Sequence, residues 1–471
     1  MFISMISRQL LSQTSFSFFP PGLTGSVAIL FIGGGAAFLL AYLFTFGVTA
    51  LSHKMGWLDL PSARRVHKKP VPRLGGVAIF LAFVIASLVF YLSVFRTNGE
   101  LTSKENTIYW LFLAGATLIV FVHVYDDIKG LKPLPKLIAQ TVTVLIILGP
   151  FAGSFHGVLL FGFSNPFSAG VADSTLPWYR QPEITLFIHN NPLTNLPDIS
   201  WLALPAVLFT WVWMVGMMNT VNLVDGLDGL ATGVVGLTAL FITIISWTLG
   251  QHTIAALSAI FTGAVLGFLP HNWNPAKIIM GDSGSQFLGL ALGVLSIMGG
   301  AKVALALMVL GIPILDVAIV VINRVRRGQS PLHYDKTHLH HRLLATGLSV
   351  RQICYVFYGL TALFGVLALS MQHIYKLIGF GLVGAAMIGL IIWMDYRQRQ
   401  RGAPLTPDEP GPGSPRGQSK DERGKTEDKG GSATGSSRGS QVGGSTSPPP
   451  GSTARQSRQH ERARLPLGRD V

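Results

Sequence analysis

Residues 229–249 read GLATGVVGLTALFITIISWTL, a run without a single charged side chain. About 20 apolar residues in a helix cross the roughly 30 Å hydrocarbon core of a bilayer. Backbone groups in lipid must be paired within the segment, so the run is read as a spanning helix and not as part of an open sheet. Comparable runs lie near 25–51, 74–95, 108–124, 134–155 and 201–220, then 253–270, 284–299, 302–323, 352–371 and 375–394. The sequence therefore predicts an all-α, polytopic integral membrane bundle of about eleven transmembrane helices. Composition agrees: only 12% of the 471 residues are charged, 49% are hydrophobic, and the mean hydropathy is +0.46. Soluble domains carry about 25% charged residues, so an ordinary cytosolic enzyme is excluded. One cysteine, Cys354, allows neither an internal disulfide nor a zinc-thiolate cluster.

The net charge of +14 could suggest nucleic acid, but its placement argues for a membrane protein with a basic tail. Residues 397–471 hold 14 Lys/Arg and 8 Asp/Glu among Gly, Ser and Pro, against 22 and 14 in residues 1–396. Loops 52–73, 125–136, 271–283 and 324–351 contain 16 Lys/Arg, whereas the N-terminus and the loops of the opposite side contain 6. The positive-inside rule assigns the first set to the cytoplasm, which puts the N-terminus outside and the C-terminus in the cytoplasm. The expected organisation is an extracytoplasmic N-terminus (1–24), a membrane domain (25–396) with an external loop at 156–200, and a disordered basic cytoplasmic tail (397–471). Residues 1–24 carry one Arg and no small-residue cleavage site, so a cleaved signal peptide is not expected. Within the external loop, Gly157–Phe163 and Glu183–His189 alternate weakly, as a small hairpin would.

Acids are the informative residues of so apolar a chain. Asp126, Asp127, Asp225, Asp228 and Asp282 fall in three short loops on the predicted cytoplasmic side. Any one of them reads equally well as a solvated loop residue; three motifs on one membrane face point to a shared cation site or relay. In Tyr125-Asp126-Asp127-Ile128-Lys129, adjacent residues of a helix point apart, so both acids serve one site only near a helix end. In Asn219-Thr220-Val221-Asn222-Leu223-Val224-Asp225-Gly226-Leu227-Asp228-Gly229, polar oxygens recur every three residues along one helical edge. Met280-Gly281-Asp282-Ser283-Gly284-Ser285 is a small-residue turn opening a helix, whose free N–H groups suit an anion, and Asp282 beside it could hold a metal. Oxygen-only ligands next to a phosphate match Mg²⁺ better than zinc. Two basic patches, Arg64–Gly76 and His338-Leu339-His340-His341-Arg342, complete the face. Asp316 lies inside a span and must pair, with Asn323 or Arg324 near its side.

Together these motifs resemble the polyprenyl-phosphate N-acetylhexosamine-1-phosphate transferases. The residues that carry the resemblance are His67, Lys68, Arg73-Leu74-Gly75-Gly76, Asp126-Asp127, Lys136 with Gln140, and Asn222 to Gly229. To these are added Gly281-Asp282-Ser283-Gly284-Ser285, Asp316 and His338-Leu339-His340-His341. Pro72-Arg73-Leu74-Gly75-Gly76 and Gly267-Phe268-Leu269-Pro270-His271-Asn272 look like the undecaprenyl-phosphate N-acetylglucosamine branch. The phospho-N-acetylmuramoyl-pentapeptide transferases usually have Thr-Pro-Thr-Met-Gly-Gly at the first place. The resemblance implies transfer of a sugar 1-phosphate from a UDP-N-acetylhexosamine to undecaprenyl phosphate, with release of UMP, at the cytoplasmic face of the plasma (inner) membrane. Partners are then the two substrates and the lipid bilayer, with no nucleic acid and with room for a homodimer; the cofactor is Mg²⁺. It implies Asp282 as the leading metal ligand and Asn222 as the second, with Asp282, Asp126 and Asp127 catalytic. Either Asp126 or Asp127 would deprotonate or orient the lipid phosphate. Lys68, Arg73, Lys136, His338, His340 and His341 would hold substrate phosphates, and Asp225 and Asp228 would shape the nucleotide pocket. A transporter of phosphate or lipid-linked sugar is the competing class; it would be expected to show inverted repeats and polar groups at mid-membrane.

Overall fold

Helix occupies every region where the sequence places an apolar run. The computed structural model describes residues 26–59, 70–97, 101–160, 196–298, 302–326, 339–370 and 375–400, with short pieces at 162–164, 183–185 and 190–191. In chain order the helices are α1 (Ala28–Met55) and α2 (Gly75–Ala86), the latter continuing through a π-helical turn (Ser87–Leu92) into α3 (Ser93–Thr97). They continue with α4 (Ser103–Lys129), α5 (Pro133–Leu148), α6 (Leu204–Val224), α7 (Leu230–Thr248) and α8 (His252–Asn272). The last are α9 (Gly281–Ile297), α10 (Lys302–Val309), α11 (Gly311–Arg326), α12 (Leu339–Ala345), α13 (Val350–Ser370) and α14 (Tyr375–Gln400).

Among the described residues, seven helices are long and apolar enough to cross a membrane, or eight if α10 and α11 form one bent span. The count of eleven is therefore not reached by length and composition, for identifiable reasons. The run at 134–155 is not one helix: α5 stops at Leu148, before Gly149-Pro150, and Pro150–Phe151 pairs as a hairpin with Ser154–Phe155. The run at 302–323 bends by 77° between α10 and α11, where Pro313 has no N–H for the carbonyl of Val309. The weak alternation within residues 156–200 does form a pair, between Gly162–Ser164 and Glu183–Thr185, with Phe163 opposite Ile184.

Phe31, Phe121 and Leu208 stand 76%, 70% and 57% exposed on α1, α4 and α6, while Ser52, Gln140, Thr143 and Gln286 are buried. Apolar groups outward and polar groups inward suit lipid as the surrounding solvent. The chain is a mostly helical, multi-pass membrane protein.

Two features of the packing set up the polar centre. A short ribbon pairs β1 (Leu58–Asp59) with β2 (Val71–Pro72). The strand that leaves it is laced to the residues before α9: Ile279 N–H donates to Pro72 C=O (3.0 Å), Gly75 N–H to Ile279 C=O (3.0 Å) and Gly76 N–H to Met280 C=O (2.8 Å). A side chain at Gly76 would run into the backbone of Gly284, so only glycine lets α2 and α9 approach this closely. The start of α4 is fixed by a reciprocal cap, Glu105 N–H to the Thr102 hydroxyl and Thr102 N–H to the Glu105 carboxylate. The C-terminal end of α4 meets the N-terminal end of α9, where Asp127 accepts the N–H of Asp282.

Candidate active site

Asp126 and Asp127 sit on the last turn of α4, and the chain end of the helix lets the two carboxylates serve different partners. Asp127 faces α9. One of its oxygens accepts the N–H of Asp282 (2.8 Å), and the other accepts the N–H (3.0 Å) and the hydroxyl (2.7 Å) of Ser283. Arg73 Nε lies 3.3 Å from it, and the guanidinium is also 3.8 Å from Asp59. Asp127 is thus the anion at the N-terminus of α9, where the helix dipole favours negative charge. The expectation that this turn offers free N–H groups to a substrate anion is corrected: two of them are already taken by Asp127. Ser283 was not singled out as a contact of its own, and only the fold reveals its part.

Asp126 faces α5. Its Oδ1 accepts the N–H of Leu131 (2.6 Å), and its Oδ2 lies 2.5 Å from Nζ of Lys136, on the first turn of α5. The same ammonium is 2.7 Å from Asp282 Oδ2, so it bridges two carboxylates from different helices. Burial orders the cluster. The side chains of Asp126 and Asp127 are 4% and 0% exposed, whereas Lys136, Arg73 and Asp282 keep 27%, 26% and 24%. A ligand arriving from solvent meets those last three first.

Beneath the charges lies a layer of amides. Gln140 on α5 and Asn219 on α6 exchange hydrogen bonds (3.1 and 3.3 Å), and Gln140 also donates to Gln286 on α9 (2.9 Å). Asn222 Nδ2 donates to Ser285 Oγ (2.8 Å). The three-residue spacing of Asn219 and Asn222 does place both on α6, but the helix ends at Val224 and leaves Asp225 and Asp228 in the turn before α7. Burial, together with the carboxylates of Asp282, Asp127 and Asp228, pushes the Asp225 carboxyl well above its usual range. Asp228 accepts Asn274 Nδ2 (2.9 Å) and the N–H of Ala276 (3.0 Å).

The His motif approaches from the other side. The buried ring of His340 lies against Gly226, and α12, which carries it, is held by Asp316 accepting the N–H of Leu339 (2.9 Å). Lys68 and His338, together with the side chain of His341, lie outside the described residues. The structure therefore brings Arg73, Asp126, Asp127, Lys136, Asp225 and Asp282 to one centre, with Asn222, Asp228 and His340 at its edges. Among the described residues, no group of three His, Cys, Asp or Glu side chains stands ready to hold a metal ion by itself.

A further set of residues carries no motif in the sequence. Tyr358 on α13 donates its hydroxyl to Gly229 C=O (2.5 Å), Cys354 its thiol to Asp228 C=O (3.4 Å), and Arg351 Nε to Asn274 C=O (2.8 Å). Trp273 packs beside Tyr355 and Tyr358, at 5.7 and 6.2 Å between ring centroids. The Asp228 turn is thus clamped by a helix distant in sequence. In an apolar span, a tyrosine reads as core or membrane-interface packing, which is why sequence reasoning passes it over.

Fold and centre together define a multi-pass membrane protein whose reactive groups are gathered at helix ends. The model of the family described as Glycosyl transferase family 4 matches residues 109–300, the stretch that holds Asp126, Asp127, Lys136, Asn222 and Asp282. The chain is 32% identical over 361 residues to a probable undecaprenyl-phosphate N-acetylglucosaminyl 1-phosphate transferase of Bacillus subtilis, covering 73% of this chain and 88% of that protein. It is 31% identical to a decaprenyl-phosphate N-acetylglucosaminephosphotransferase of Mycolicibacterium smegmatis, covering 69% and 78%. A phospho-N-acetylmuramoyl-pentapeptide-transferase of Halalkalibacterium halodurans is also 31% identical, over 65% of this chain and 84% of its own length. The chain belongs to the glycosyl transferase family 4 and is a membrane transferase.

Proposed function

We propose that this enzyme transfers N-acetylglucosamine 1-phosphate from UDP-N-acetylglucosamine to undecaprenyl phosphate and releases UMP, at the cytoplasmic face of the plasma membrane. The names of the relatives support the sugar and the lipid. The observation that carries the chemistry is the Lys136 ammonium held between Asp126 and Asp282 beside Arg73. A phosphate oxygen of the lipid attacks the β-phosphorus of the nucleotide sugar, and the bond to the UMP oxygen breaks. Both reactants are anions, so their repulsion must be screened before they meet. Lys136 and Arg73 are the partly exposed cations that would hold the phosphates, Lys136 by turning from the carboxylates toward the substrate. A phosphate monoester is already largely ionised at neutral pH, so orientation by Asp126 matters more than its strength as a base.

The donor set fits Mg²⁺. Asp282 and the amide oxygen of Asn222 would supply hard oxygen ligands without sulfur, and because no three His, Cys, Asp or Glu side chains among the described residues form a complete metal group, positions would remain for diphosphate oxygens. When bound there, the ion would neutralise charge on the diphosphate and on the departing UMP. Asp225 and Asp228 would shape the nucleotide pocket, with His340 at its edge. The loop charges support an N-terminus outside and a cytoplasmic C-terminus.

Purified protein with undecaprenyl phosphate should release UMP from UDP-N-acetylglucosamine. Release from UDP-N-acetylmuramoyl-pentapeptide alone would replace this reading with the pentapeptide reaction, and release from neither would end both. Topology has its own check in a Cys354→Ala background. A cysteine at Ser164 should react with an impermeant thiol reagent added outside, and one at Ser330 should not; the reverse pattern would move the centre to the other face.

The α13 clamp leads to a kinetic expectation. Tyr358→Phe removes one hydrogen bond to the Gly229 carbonyl, worth about 1 kcal/mol. KM for the nucleotide sugar should rise roughly 3–10-fold while kcat stays within about twofold. An unchanged KM would detach the Asp228 turn from nucleotide binding.

A further inference from the structure

His123 lies on α4, one turn before Asp126, and its side chain is fully buried. Its Nδ1 is 2.9 Å from the carbonyl of Ile119. A carbonyl can only accept, so Nδ1 carries the proton and, in the neutral ring, Nε2 is a bare lone pair. That Nε2 has no hydrogen-bond partner among the described residues. Three residues on, on the same helix, Asp126 holds the Lys136 ammonium, which also reaches Asp282, so these three groups form the bridged cluster next to the ring. Only one of the three can donate a hydrogen bond from a cation. An ammonium has three N–H groups, and two of those on Lys136 are directed at Asp126 and Asp282.

We propose that His123 is a positioning residue for Lys136: its Nε2 accepts the third N–H of the ammonium through one bridging water, and so sets where the charge stands as it turns toward substrate phosphate. A buried acceptor without a partner is costly, and a well-packed apolar residue of similar size would remove that cost. Histidine at this position is therefore expected to serve the centre more than the stability of the bundle. The inference rests on the transferase reading for its kinetic part and on the geometry of the cluster alone for its spectroscopic part.

His123→Leu keeps the volume and removes the acceptor, whereas His123→Gln returns an acceptor oxygen near the place of Nε2. Turnover of UDP-N-acetylglucosamine should fall about tenfold in His123→Leu, the effect of losing one hydrogen bond to a charged group, and recover to within about threefold in His123→Gln. The melting temperature of His123→Leu should equal or exceed that of the wild type. Equal losses of activity in both variants, or a lower melting temperature that tracks the lost activity, would reduce His123 to a packing residue. A second measurement needs neither turnover nor a folded His123 variant. In ¹⁵N-histidine-labelled full-length protein, the Nε2 resonance of His123 should have the shift of an unprotonated nitrogen and should move when Lys136 is replaced by Met. A resonance indifferent to Lys136→Met would overturn the proposal even if the enzyme is active, and an inactive wild type with a responsive resonance would overturn only the reaction.

Discussion

Replacing Asp282 by Asn is expected to lower turnover about 10²–10³-fold, the loss of one transition-state interaction worth roughly 3–4 kcal/mol. The substitution keeps the shape of the side chain and removes a full negative charge from the proposed metal site. It also removes one of the two carboxylates that hold Lys136. Folding should change little, because Asp126 still pairs with the ammonium and Asp127 still caps α9. UMP release across a Mg²⁺ titration, with saturating lipid phosphate, gives the test. Asp173→Asn, remote in sequence from every candidate site residue, is the control and should match the wild type. Full activity of Asp282→Asn at low Mg²⁺ would remove it from the metal site and turn attention to Asp126.

The adjacent acids should separate under mutation. Asp127→Ala strands the N–H groups of Asp282 and Ser283, the Ser283 hydroxyl and the Arg73 guanidinium in a buried setting. Removing one partner of such a buried charged network costs about 3–5 kcal/mol. Thermal unfolding in detergent should therefore show a clearly lowered midpoint, with activity lost alongside. Asp126→Asn leaves the Lys136–Asp282 contact and the start of α9 intact, so it should lose turnover with little loss of stability. Asp127→Ala melting like the wild type would mean that α9 does not depend on this cap. Such a contrast would assign Asp127 to the scaffold and leave Asp126 as the acid nearer the chemistry.

Much of this was legible because lipid makes simple demands. A helix in a bilayer must be apolar, so runs such as 229–249 and 253–270 announce α7 and α8. The same rule fails where an apolar residue does something other than cross. Pro150 and Phe151 belong to a hairpin, and Ile312-Pro313 sits at a bend, yet their hydropathy matches that of a span. In the site, charge in an apolar chain drew attention to Asp126, Asp127, Lys136 and Asp282. Their division of labour was not readable, since it rests on contacts between residues 155 positions apart, such as Asp127 with Asp282. His123 and Tyr358 were hidden for the opposite reason. Each sits in an apolar stretch with no motif around it, and only the partner across the helix interface gives it meaning.

The lengths of α5 and α9 carry a consequence for the acceptor. These helices, with 16 and 17 residues, rise only about 24–26 Å at 1.5 Å per residue, less than the roughly 30 Å hydrocarbon core of a bilayer. Lys136 and Asp282 stand on their first turns. Under the proposed reaction, a lipid phosphate that rides at headgroup level would have to sink to reach them, or the bilayer would have to thin around the protein, at a cost of fractions of a kcal/mol per ångström. Membrane thickness would then be a kinetic variable for this enzyme, and bilayers of shorter acyl chains would bring the acceptor to the ammonium with less distortion.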